Sequence, residues 1–92
     1  MNPENFEQIW GLIRANEGQV FNTIRHKPYK YTINGNAIQV LGNQPYNLSR
    51  GNFLNALPHF DPQTLATMPS AIVGRSYVWG IYNGLANQIA QI

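Results

Sequence analysis

The chain has 92 residues, 43% of them apolar, which supports one folded domain with a packed core and argues against disorder. Only 11% of residues are charged, the formal net charge is +2, and there is no cysteine. Disulfides and thiolate metal sites are thereby excluded, and the chain shows neither a signal-peptide pattern nor an apolar stretch approaching about 18 residues.

A soluble, cytoplasmic protein that needs no membrane is the expectation. Polarity comes mainly from twelve Asn and seven Gln. Such a surface is hydrated but weakly charged, so repulsion does little to keep copies apart and self-association becomes a natural option. Charge is also uneven. Residues 1–18 hold Glu4, Glu7 and Glu17 against Arg14, a net −2, while the rest of the chain holds five cations against Asp61 alone, a net +4.

Asn2-Pro3-Glu4 has the features of a helix start: a capping side chain, a proline suited to the first turn, and acids near the positive end of the dipole. Phe6, Ile9, Trp10 and Ile13 recur at helical spacing, and Asn16-Glu17-Gly18 marks the exit. Gly11 is either a flaw in this helix or a point of close backbone approach. Residues 20–24 form a short run of strand formers. Residues 29–33 and 37–41 alternate on either side of Asn34-Gly35, the strongest short-range hairpin signal. With Asn34 and Gly35 as the loop, Tyr31 pairs with Ile38. Tyr29, Tyr31, Ile33, Ile38 and Val40 share one face, and Lys30, Thr32, Ala37 and Gln39 share the other.

Residues 42–47 read as loop. Ser49 can cap a short helix carrying Phe53, Leu54, Ala56 and Leu57, which Pro58 ends. Asp61-Pro62 opens another candidate helical turn through Met68. Ser76 can cap a last helix in which Tyr77, Ile81, Leu85, Ile89 and Ile92 line one side. A strand over residues 77–82 is the rival reading, since Tyr, Val, Trp and Ile favour strands. The expected fold is α+β: an N-terminal helix, a three-stranded antiparallel meander over residues 20–41, then two or three C-terminal helices, in a single domain of residues 1–92.

Nothing in this order builds an enzyme. Glu4, Glu7 and Glu17 lie on or just after a terminal helix, where they read as a solvated face. His59 and Asp61 lie two apart in a proline-flanked loop, with no nucleophile motif to complete a triad. His26, His59 and Asp61 lack metal-ligand spacing, and no phosphate-loop or dinucleotide fingerprint calls for a cofactor. Gly80-Ile81-Tyr82 matches half of a nuclease signature whose second half is missing. Gly80-x-x-x-Gly84 reads as a tight packing face.

Two binding readings remain. For nucleic acid, Arg25, Lys27 and Lys30 cluster in the stretch RHKPYK, while Arg50 and Arg75 each stand at an expected helix start, whose free N–H groups can receive a phosphate. At most about four phosphate contacts follow, which means modest, salt-sensitive affinity. For a protein partner or a second copy, Tyr77, Trp79 and Tyr82 offer aromatic anchors if they are exposed together.

A longer pattern runs through the chain: Gly18-x-x-Phe21-x-Thr23, Lys27-Pro28-Tyr29-x-Tyr31, Gly35-Asn36-x-Ile38, Ser49-Arg50-x-Asn52-Phe53-x-x-Ala56-Leu57 and Gly74-x-Ser76-Tyr77-Val78-Trp79. It resembles a set of small uncharacterised bacterial and phage domains and covers most of the chain from residue 18. The resemblance implies a bacterial or phage setting, with defence, counter-defence or DNA-transaction systems as contexts. It carries over no activity and no functional residue.

Overall fold

A computed structural model describes residues 3–42 and 45–92. The capping role expected of Asn2 lies outside the described residues. A 3-10 turn, Pro3–Asn5, leads into α1, Phe6–Ala15. Phe6, Ile9, Trp10 and Ile13 are its buried residues, so the helical spacing forms the buried face. Both the backbone N–H and the side-chain amide of Asn16 donate to the Leu12 carbonyl at the exit, and Gly18 follows at φ +83°. Open space surrounds the Cβ position of Gly11, so no other backbone approaches it there.

Five short strands follow: β1, Phe21–Asn22; β2, Pro28–Tyr29; β3, Tyr31–Asn34; β4, Ala37–Val40; and β5, Tyr46–Ser49. They make two sheets rather than one meander. β1 pairs with β2 as a small ribbon, and β3, β4 and β5 form the three-stranded antiparallel sheet. The third strand of that sheet is therefore β5, which begins in the stretch read as loop and runs up to Ser49, while residues 20–24 serve the separate ribbon.

The β3–β4 hairpin turns on Gly35-Asn36 rather than Asn34-Gly35, and Tyr31 pairs with Val40. Gly35 takes φ +60° while Asn36 stays out of the positive-φ region. That suits a turn with Gly at its first central position and not one with two positive φ angles. The shift keeps parity, so the faces are as expected: Tyr31, Ile38 and Val40 are buried, whereas Thr32 and Gln39 pair on the outer side.

Glu17 closes the free edge of β3. Its carboxylate accepts from the Ile33 N–H at 2.8 Å and the Thr32 hydroxyl at 3.0 Å, and the Gly18 N–H donates to the Tyr31 carbonyl. These hydrogen bonds hold the carboxyl below its ordinary range. Glu17 thus blocks edge pairing rather than merely facing solvent.

α2, Arg50–Ala56, continues into a 3-10 turn, Leu57–His59. No helix forms over residues 61–68. The Asp61 carboxylate accepts from the Gln63 N–H at 2.8 Å, a local turn that competes with helix. The Asp61 carbonyl accepts from the Trp79 indole, and the His59 carbonyl from the Thr67 hydroxyl, so this loop is tied down through its backbone.

α3, Arg75–Ile89, settles residues 77–82 as helix. Its start is at Gly74 (φ +61°), and Ser76 is inside the first turn rather than at the cap. Val78 through Tyr82, with Leu85 and Ile89, are buried, so the helix runs through the centre of the molecule. The ribbon lies tightly against it. A methyl group at Gly80 would collide with the Asn22 carbonyl oxygen, and one at Gly84 would stand 2.6 Å from the Phe21 ring. The Gly80-x-x-x-Gly84 face thus receives a β-ribbon. Buried Tyr31 and Tyr82 donate their hydroxyls to the carbonyls of Ile13 and Phe53, and burial raises both phenol pKa values. No helix among the described residues is long and apolar enough to cross a membrane.

Candidate nucleic-acid interface

The turn between β1 and β2 carries Arg25, His26 and Lys27. Thr23, itself buried, holds it at three points. The Thr23 N–H donates to the Lys27 carbonyl at 3.0 Å, the His26 N–H to the Thr23 carbonyl at 2.8 Å, and the Lys27 N–H to the Thr23 hydroxyl at 3.1 Å. His26 takes φ 64°, a left-handed conformation that few residues other than glycine adopt. The turn is therefore a fixed object with its cationic side chains exposed.

This turn is brought against the start of α3. Tyr29 donates its hydroxyl to the Tyr77 carbonyl at 2.6 Å, and the two rings meet edge to face at 5.0 Å. Burial pushes the Tyr29 phenol pKa upward, so it remains a neutral donor. The ring of Tyr46, at the start of β5, lies 6.0 Å from that of Tyr77. Tyr46 is on the same sheet face as buried Val40 and Leu48, but at the end of the sheet, and it is 41% exposed.

The result is an open groove of about 730 Å³, within the usual range for ligand sites. Arg25 and Lys27 line it from the turn, Arg75 and Tyr77 from α3, and Leu41 and Tyr46 from the sheet end. None of its lining residues is Asp or Glu. Arg75 is anchored through Nη1, which donates to the Met68 carbonyl at 3.0 Å, and its other guanidinium donors have no hydrogen-bond partner among the described residues. Gly74 provides no side-chain cap to α3. Leu41, Tyr46 and Val73 are all large apolar residues exposed above 40%.

Of the five cations singled out in the sequence, the groove brings together Arg25, Lys27 and Arg75. Lys30 is exposed just before β3 and does not line it. Arg50 follows the other end of β5, where it ion-pairs with Glu7 and stacks 4.9 Å over the Phe6 ring. The start of α2 is also satisfied internally. The Ser49 hydroxyl accepts from the Asn52 N–H at 3.1 Å, and the Arg50 N–H donates to the Asn36 carbonyl. A phosphate would have to displace these partners.

Of the three aromatic candidates, Tyr82 is fully buried and Trp79 is 6% exposed. Phe60 packs against both rings. They close the core, so the condition for an aromatic patch there, joint exposure, is not met. Tyr77 is half-buried and lines the groove. Tyr46 was missed as a site residue because Gly42, Pro45 and the surrounding Asn residues read as loop, and Leu41 because it read only as the end of a strand. Among the described residues no group of three or more His, Asp or Glu could hold a metal ion. Comparison with family models, curated proteins and solved structures returned no significant match.

Proposed function

We propose that this protein is a non-enzymatic nucleic-acid-binding domain that holds phosphates in the groove between the β1–β2 turn and the start of α3. The observation that carries the reading is the convergence of Arg25, Lys27 and Arg75 on one concave surface with no carboxylate in its lining. Cations gathered without compensating acids attract a polyanion, and a concavity focuses that field. The reading fits a cytoplasmic protein of bacterial or phage origin.

Three groove cations set the expected strength. With a slope of about −0.7 per phosphate contact on a single strand, affinity falls roughly 20-fold between about 50 and 200 mM salt. Fluorescence anisotropy with labelled DNA and RNA at both salt levels tests this. Binding that falls with salt and disappears in an Arg25→Ala/Lys27→Ala/Arg75→Ala variant supports the reading. Absence of binding by the wild type at low salt sinks it.

A second reading rests on Leu41, Tyr46 and Val73, three exposed apolar side chains, the first two of which line the groove. These would anchor a protein partner or a second copy, in place of Trp79 and Tyr82. Such association would respond weakly to salt.

A further inference from the structure

We infer that the groove selects an unpaired strand, taking a base against Tyr46 while Arg25, Lys27 and Arg75 hold the flanking phosphates; this rests on the nucleic-acid reading above. The site is concave, so it can admit only what projects from a nucleic acid. In a duplex the bases face inward, and their edges are reached by a helix or ribbon that projects into a groove. Two elements meet at this site: α3, whose body from Val78 to Tyr82 is buried so that it presents only its first turn, and the β1–β2 ribbon, which is only two residue pairs long and lies against α3 with its turn exposed. A single strand can turn a base outward onto an aromatic face.

Tyr46 offers such a face. Its ring is tilted 48° from that of Tyr77, which is itself braced edge-on by Tyr29. The pair therefore forms a stepped aromatic surface, with Tyr77 as its braced member and Tyr46 as its exposed one. Cations lie on the same lining, which is the combination of stacking platform and charge that single-strand sites use. Stacking needs no particular base, so the selectivity is for strandedness.

The test uses three labelled probes of equal length at about 50 mM salt: oligothymidylate, an abasic strand with the same phosphates, and a thymine–adenine duplex. Oligothymidylate is expected to bind the wild type roughly 5- to 100-fold more tightly than the abasic strand. It should also outbind the duplex. Tyr46→Ala should erase the preference for bases, and Tyr46→Phe, which keeps the ring, should retain it. Equal binding of all three probes, or a preference that survives Tyr46→Ala, overturns the inference while leaving phosphate binding intact. Failure of every probe removes both. The wild-type comparison of probes decides even if Tyr46→Ala does not fold.

Discussion

The chain has two helix starts that look alike and fold into opposite situations. Ser49-Arg50 opens α2, and Gly74-Arg75 opens α3. At the first, a hydroxyl caps the helix, the Arg50 N–H finds the Asn36 carbonyl, and the guanidinium is neutralised by Glu7. At the second there is no capping side chain, and the guanidinium shares a lining with two more cations and no acid. An arginine beside a helix start is a binding feature only where its neighbours leave its charge unspent. That depends on which distant segments are folded against it, here α1 for Arg50 and the β1–β2 ribbon for Arg75.

The comparison breaks most severely at Gly80. Replacing it with Ala should push the ribbon away from α3, because the added methyl would lie 2.5 Å from the Tyr29 hydroxyl and still closer to the Asn22 carbonyl oxygen. A loss of roughly 2–4 kcal/mol in stability is expected, at or above the usual cost of overpacking. Denaturant unfolding measures it, and an unchanged midpoint would mean the ribbon does not dock as described.

Ser49→Ala separates capping from binding. It should cost about 1 kcal/mol of stability through loss of the Asn52 contact and leave oligonucleotide affinity within about twofold. A matching loss of affinity would place the start of α2 in the binding surface. Glu7→Gln gives a smaller effect. The carboxylate is exposed, so removing its pairing with Arg50 should change stability by less than about 1 kcal/mol. It would also leave Arg50 with an uncompensated charge, so any gain in oligonucleotide affinity would show that this arginine can be recruited.

The smallest effect concerns acid. The folded state depresses the Glu17 carboxyl below its ordinary value of 4.5, through hydrogen bonds from Ile33 and Thr32. A group depressed on folding contributes above its unfolded-state value and loses that contribution as pH falls through the folded-state value. Stability therefore declines as the pH drops below about 4.5, and Glu17→Gln should flatten that part of the profile. Thermal unfolding between about pH 3 and pH 6 reads it, and parallel profiles would show that Glu17 does not hold the β3 edge.

Much of the fold was legible from local pattern. Phe6, Ile9, Trp10 and Ile13 marked α1 by spacing alone, and the faces of the β3–β4 hairpin survived a one-residue shift of its turn because side-chain parity was retained. β5 was hidden because only Tyr46 and Leu48 alternate in a stretch otherwise rich in Asn and Pro. Residues 61–68 looked like a helix start because Asp-Pro satisfies the same N-terminal preferences as the turn that Asp61 makes with Gln63. The site was less legible than the fold. Arg25 and Lys27 are neighbours in sequence, but Arg75 joins them through the contact of Tyr29 with Tyr77, 48 residues away. Arg50 was drawn the other way by Glu7. Whether Trp79 and Tyr82 were exposed together was left open by reading α3 as one-sided, and the helix proves to be buried nearly all round over Val78 to Tyr82.

The most direct test of the account compares the two arginines. The salt dependence of single-stranded oligonucleotide binding is measured for the wild type, Arg75→Ala and Arg50→Ala. The account predicts that Arg75→Ala lowers the slope by about 0.7, one phosphate contact on a single strand, while Arg50→Ala leaves it unchanged. Equal slopes for Arg75→Ala and the wild type, or a reduction produced by Arg50→Ala alone, would contradict it.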